Sequence, residues 1–265
     1  MKRGFKISQR NKILKLLKQY KMENCKVAAT PMNVEYEKEN ITGPECDIDL
    51  YRSLIGSLLY LSRWSRPDIS IAVNLLSRNV CKPNEKHWQS AKRVLRYLKN
   101  KQLYLEPKGE LTIIAYADAN YGSDIITRRS TSGMTVHLGG SLVNWKTARQ
   151  KFISLSSAES EYAALSELCI DLVYYKQLAQ DLGIFLQDPI TVNENNQAAI
   201  QMANSPNVKS KSKHTDIRYQ NVKQNIENGL IELIYCETEK NIADCLTKAL
   251  GPTKHERACN MLGLK

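Results

Sequence analysis

The chain has 265 residues, 42% of them hydrophobic and 25% charged, which is enough for one or two domains with a real core. No run of about 18 apolar residues interrupts it, which argues against a membrane-spanning helix, and the basic start MKRGFKISQRNK lacks the apolar core of a secretory signal. The formal net charge of +11 points to a polyanionic partner.

Up to about residue 107 the pattern is helical. ISQRNKILKLLKQY places Ile7, Ile13, Leu14 and Leu17 near one face of a helix. Nine Lys or Arg and a single Glu fall within residues 1–26, a run that reads equally as a solvated face or as a nucleic-acid contact. The polar, aperiodic MNVEYEKENITGPECD is a linker. LYRSLIGSLLYLSRW puts Leu50, Leu54, Leu58 and Leu61 in one stripe, with Asp47 or Asp49 to cap it. RPDISIAVNLLSR enters a helix at Pro67 and Asp68. NEKHWQSAKRVLRYLKN offers Trp88, Val94, Leu95 and Leu98 for burial.

From residue 108 the period changes. ELTIIAYAD, STSGMTVHLG and SLVNWKT read as strands, the last two joined by a hairpin at Gly139-Gly140. Residues 156–182 form one long helix. A short strand PITVN, a short helix NQAAIQMAN and a longer helix stopped by Gly229 follow. LIELIYCE is a strand, and Gly251-Pro252 splits a final helix pair. Three strands, helix, strand, two helices, strand, helix make a mixed α/β sheet with helical cover over 108–265, after a helical part over 1–107. The seven cysteines, at 25, 46, 81, 169, 236, 245 and 259, include no C-x-x-C pair and read as free thiols of a reducing, intracellular compartment.

Chemistry is suggested by acids on separate elements. Asp118 ends an apolar strand, Glu159 opens the long helix and Asp244 lies in EKNIADCLTKAL. Converging carboxylates are what a pair of Mg²⁺ or Mn²⁺ ions needs for in-line phosphodiester hydrolysis. Each has a plainer reading as well: Asp118 as a turn former, Ser156-x-x-Glu159 as a capping box, Asp244 as a solvated helix residue. Glu161, some 200° further round the helix, is expected to face elsewhere. Lys209, Lys211, Lys213, His214 and Arg218 form a basic cluster beside these acids, suited to a nucleic-acid backbone.

YADANYGSD, TRRSTSGM, VNWKTARQKFISLSSAESEYAAL, NENNQAAI, KHTDIRY and IADCLTKAL occur in an order and spacing that resembles the ribonuclease H domain of copia-type LTR retrotransposons. TPM, YRSLIGSLLYLSRWSRPDISIAVNLLSR and HWQSAKRVLRYLK resemble the end of the reverse transcriptase that precedes it, so 1–107 corresponds to a thumb or connection remnant. The resemblance implies an RNase H-like five-stranded mixed sheet flanked by helices. It implies cleavage of the RNA strand of RNA–DNA hybrids by two metal ions, in the cytoplasm, a retrotransposon particle or the nucleus. It places Asp118, Glu159 and Asp244 as metal-ligating catalytic residues, and it puts Asn195 where the remaining aspartate belongs.

Asparagine keeps the shape and one acceptor oxygen but loses the charge, so the second ion is expected to be weakly held and cleavage reduced or absent. Glu194 could take over only by a one-residue slip of its strand. Asn120 stands where a second Asp is frequent, and Gln220 and Asn221 where a His and an aromatic are usual. No Y-x-D-D polymerase motif is present, so no DNA synthesis is expected from this chain alone. Three readings follow: an impaired RNase H, a module that binds hybrid without cutting it, and a decayed fragment. The fragment would expose apolar surface on residues 50–80, meant for missing palm and fingers.

Overall fold

The computed structural model describes residues 4–37, 42–106, 110–205 and 213–265, with the backbone alone for 213–216. Two compact units divide it. The first comprises residues 1–106 and 248–265, the second residues 107–247. The division near 107 coincides with the change of period. The last 18 residues, assigned above to the second part, instead complete the first unit: Leu264 bridges to Leu103 and Gln102 exchanges backbone hydrogen bonds with Lys265.

In the first unit a short strand, β1 (Phe5–Ile7), precedes helix α1 (Arg10–Gln19). Ile7 therefore leaves the expected helical face, which is made of Ile13, Leu16 and Leu17, while Leu14 is exposed. Helix α2 (Ile48–Trp64) starts at Asp47, whose side chain accepts hydrogen bonds from the amides of Asp49 and Leu50 at 2.9 Å. Leu54, Leu58 and Leu61 are buried as the periodicity requires, each stabilising by about 1.5–3 kcal/mol, whereas Leu50 is exposed. Helix α3 (Ser70–Ser77) is buried along most of its length, and α4 (Glu85–Tyr97) opens with a reciprocal cap between Asn84 and His87. Strand β2 (Leu103–Leu105) pairs antiparallel with β1, a two-stranded sheet that three-residue segments do not announce by periodicity. Helix α8 (Pro252–Met261) closes the unit.

The second unit is built on five strands: β3 (Ile113–Asn120), β4 (Thr131–Leu138), β5 (Ser141–Arg149), β6 (Ile190–Glu194) and β7 (Ile231–Tyr235). Their order across the sheet is β5-β4-β3-β6-β7. The first three run antiparallel, while β6 and β7 are parallel to β3. Gly139 and Gly140 turn the β4–β5 hairpin with φ of 55° and 75°, a twist only glycine adopts freely at both positions. Helix α5 (Ser157–Asp181) lays Leu165, Leu168 and Leu172 on Ile113, Ala115, Ala117, Met134 and Val136 of the sheet. Helices α6 (Gln197–Asn204) and α7 (Lys213–Glu227) complete that layer. This is the five-stranded mixed sheet with flanking helices that the resemblance implied. Among the described residues no helix is long and apolar enough to cross a membrane, and all seven thiols are free.

Candidate active site

Asp118 lies near the end of β3, the strand paired on both sides, and only 5% of it is exposed. Strand alternation decides which way it faces. Ile113, Ala115 and Ala117 pack under α5, so Asp118 belongs to the opposite face. Directly across the β3–β4 ladder from it stands Gly133. A Cβ there would come within 2.7 Å of Thr247 Cγ2 and 2.9 Å of the Ala243 carbonyl oxygen. The missing side chain is what lets the 3₁₀ turn Ile242–Leu246, and Thr247 after it, settle against the sheet.

That turn carries Asp244 and is anchored twice. Asn241 Nδ2 donates to the Ala117 carbonyl at 2.7 Å, and Asn241 Oδ1 accepts from Ala243 N at 3.1 Å. Thr147 of β5 adds a bond to the Leu246 carbonyl at 2.9 Å. Asp244 is on a 3₁₀ turn, not on the helix expected for it. Thr247 is the link between the two acidic positions. Its buried hydroxyl donates to Asp118 Oδ2, and its oxygen lies 3.0 Å from the backbone carbonyl of Asp244.

Asn195, just past β6, enters on the same face. Its Nδ2 is 3.5 Å from Asp118 Oδ1, the outer limit of a hydrogen bond, and 3.2 Å from Thr238 Oγ1. A carboxylate only accepts, so it is the amide's N–H end that turns to Asp118. Where a divalent cation would need lone pairs, this chain presents donors, and both oxygens of Asp118 are engaged by the protein itself.

Glu194 keeps its place in the β6–β7 ladder opposite Tyr235, so no slip carries it to position 195. It is fully buried, its Oε1 accepts from Asn196 N at 2.9 Å, and its Oε2 has no partner among the described residues. Burial pushes its carboxyl up to about 8; the nearby negative charge of Asp118 adds to the rise, and the amides of Asn195 and Asn196 oppose it. Cys236 follows, pushed up to about 11 by burial and by the charges of Glu194 and Asp118.

Glu159 does not join this group. Its Oε2 accepts from Leu155 N at 2.7 Å, while Ser156 Oγ accepts from Glu159 N at 3.1 Å: the capping role weighed against ligation. Its charge acts on Arg218 and Tyr219 of α7. The inward glutamate of α5 is Glu161, only 6% exposed, one turn ahead of Leu165 on the stripe that covers the sheet. Glu161 does face elsewhere than Glu159, as expected: two residues of helical rotation turn Glu161 toward the sheet and leave Glu159 at the helix entry. The preceding Ser160 carbonyl is bound at 2.9 Å by Gln150, which also reaches Ser132 of β4.

Of the basic cluster, Lys209 and Lys211 and the side chains of Lys213 and His214 lie outside the described residues. Arg218 stacks on Phe152 with its guanidinium carbon 3.7 Å from the ring centroid.

The structure thus gathers Asp118, Asn195 and the turn bearing Asp244, and sends Glu159 toward α7. Among the described residues one group of Asp, Glu, His or Cys has its ligand atoms within 4.8 Å of each other, Asp68, His255 and Cys259 of the first unit. There the Tyr97 hydroxyl stands between them, 2.6 Å from Asp68 Oδ2 and 2.8 Å from His255 Nε2. Residues 118, 159 and 244 do not close to that spacing.

No family model matches the chain. It is 33% identical over 98% of its length to the retrovirus-related Pol polyprotein from transposon RE1 of Arabidopsis thaliana, and 29% identical over 97% to that from transposon TNT 1-94 of Nicotiana tabacum. It spans 18% and 20% of the lengths of these two relatives. A solved foamy viral protease-reverse transcriptase in complex with RNA/DNA hybrid aligns with 78% of this chain and 27% of that one, at 14% identity and a TM-score of 0.47, a likeness too loose to decide anything. With the motifs found in order and the near full-length identity to transposon polyproteins, the chain belongs to the copia-type retrovirus-related Pol polyproteins.

Proposed function

We propose that residues 107–247 act as an RNase H-type domain that engages RNA–DNA hybrids and cleaves their RNA strand weakly at best. The observation that carries this is the Asn195 amide facing Asp118 Oδ1. Two divalent ions, when bound, would supply the nucleophilic water and the leaving-group stabilisation. The residues present do not fit such a pair. A neutral donor occupies one ligand position, Glu159 is used as a cap, and the remaining carboxylates carry less charge than two Mg²⁺ or Mn²⁺ ions require. Glu161 is the carboxylate of α5 we assign to the neighbourhood of the site in place of Glu159, because it is buried and the preceding Ser160 is tied through Gln150 to Ser132, which pairs with Ala119 next to Asp118.

The second reading is a module that holds hybrid without cutting. It is favoured by the two protein donors on Asp118, which stabilise that carboxylate with no ion present. The first unit, in this reading or the other, is the remnant of a reverse transcriptase that worked with palm and fingers elsewhere in a longer polyprotein.

The test uses the full chain and Asn195→Asp on a labelled RNA–DNA hybrid with Mg²⁺ or Mn²⁺. The expected result is a gain of at least tenfold in the variant. Equal, robust cleavage by both proteins refutes the reading. Hybrid affinity that survives chelation, with no product from either protein, selects the binding module.

A further inference from the structure

The expected exposed apolar surface over 50–80 is confined to α2, where Leu50, Leu59, Tyr60 and Trp64 are exposed; residues 65–73 are buried. Its far end is not simply apolar. Tyr60 and Trp64 are one helical turn apart, their rings 6.5 Å between centroids and tilted by 48°, and are 51% and 61% exposed. Tyr60 also lines a cavity of about 410 Å³ whose other walls are Ser8, Gln9, Arg10, Asn11 and Lys12. Residues some fifty positions apart in sequence are therefore brought to one surface by the fold of the first unit alone. The start of helix α1 brings Arg10 and Lys12 to that wall and no acid, and Arg63 of α2 is exposed beside the aromatic pair.

A solvated charged face does not need two large rings left open at its rim, and an apolar protein contact does not need cations without acids along its edge. Both features together match one chemistry: bases stacking on rings while phosphates run along cations. Stacking needs unpaired bases, because a duplex hides their faces.

We propose that the Tyr60–Trp64 pair and the basic rim of α1 form a binding surface for single-stranded nucleic acid, on a different unit from the RNase H-type site. Nothing in this surface depends on Asp118, Asn195 or a metal ion.

The experiment measures binding of the full chain to a fluorescently labelled single strand of about 12 nucleotides, and to the same length of duplex, at several salt concentrations. Intrinsic tryptophan quenching gives a second reading. Trp64→Ala and Tyr60→Ala are each expected to weaken single-strand binding about tenfold. Arg10→Glu with Lys12→Glu should weaken it similarly and flatten its salt dependence. Tm should not move, since these side chains are exposed. Chelation and Asn195→Asp should leave this binding unchanged, so it can fail or hold independently of the hybrid-cleavage reading. The proposal is overturned if Trp64→Ala and Tyr60→Ala bind the strand like the parent. It is equally overturned if the surface proves to mediate self-association: a mass that rises with concentration, falls to monomer in Trp64→Ala, and comes with no affinity for the strand.

Discussion

Asp68 of the first unit and Glu194 of the second are both deeply buried carboxylates, and the two are treated in opposite ways. In the first, Asp68 is 3% exposed and lies against the Arg66 guanidinium, with contacts at 2.9 and 2.7 Å and a further bond from Tyr97 at 2.6 Å. Burial alone would raise its pKa, but the Arg66 charge and these hydrogen bonds hold it below the usual carboxylate range. In the second, Glu194 has one oxygen without a partner among the described residues and a like charge, Asp118, nearby. A buried acid matched by its own cation belongs to the scaffold; a buried acid left unmatched invites a proton or a ligand from outside. That contrast separates the structural network of the first unit from the site of the second, although both consist of the same few residue types.

Removing the internal cation is the strongest way to break the comparison. Arg66→Met leaves Asp68 buried and unpaired, and should cost about 3–5 kcal/mol in urea unfolding. A loss under 1 kcal/mol would mean that the ion pair is not what holds Asp68 there.

The pH responses should also be opposite in sign. Glu194 rises from 4.5 to about 8 on folding, so its contribution is fully present below pH 4.5 and is lost as pH climbs toward 8, a change of a few kcal/mol. His255 is depressed by burial below 6.5, so its contribution is present above that value and lost on acidification. Plots of stability against pH should lose a decline spread over the whole of pH 4.5–8 in Glu194→Gln, and a rise confined to pH below 6.5 in His255→Gln. An unchanged slope in either variant contradicts the assignment of that limb.

Gly133→Ala sharpens the comparison at the site itself. The new Cβ meets a backbone carbonyl at 2.9 Å, which cannot rotate away, so a loss of about 1–3 kcal/mol is expected, together with displacement of the turn bearing Asp244. Thermal melts read the first effect, and amide exchange at residues 242–247 the second. The smallest effect belongs to Glu159→Gln. It weakens a cap and should cost under about 1 kcal/mol without altering metal affinity, whereas Glu161→Gln should reduce that affinity. Calorimetric titration with Mn²⁺ distinguishes them, and the reverse ranking would restore Glu159 to the site.

Much of this was legible in one dimension because the signals are local. Asp47 caps α2 as its position before an apolar stripe implies, and the glycine pair at 139–140 turns its hairpin. Asn195 arrives beside Asp118. Failures occurred where a helical rotation or a distant partner decides. Leu14 and Leu50 fit the apolar period yet stay exposed. Glu159 and Glu161 share a motif, and only the packing of α5 shows which turns inward.

By itself, then, the sequence determined the succession of elements, the family and the missing charge at position 195, since all three reside in residue type, order and spacing. Tertiary structure alone decided that Thr247 joins Asp118 to the turn of Asp244, that Gly133 makes room for it, and that residues 248–265 complete the first unit. Those outcomes depend on contacts between positions as far apart as Gln102 and Lys265, or Tyr97 and Cys259, and no local pattern encodes which surfaces will meet.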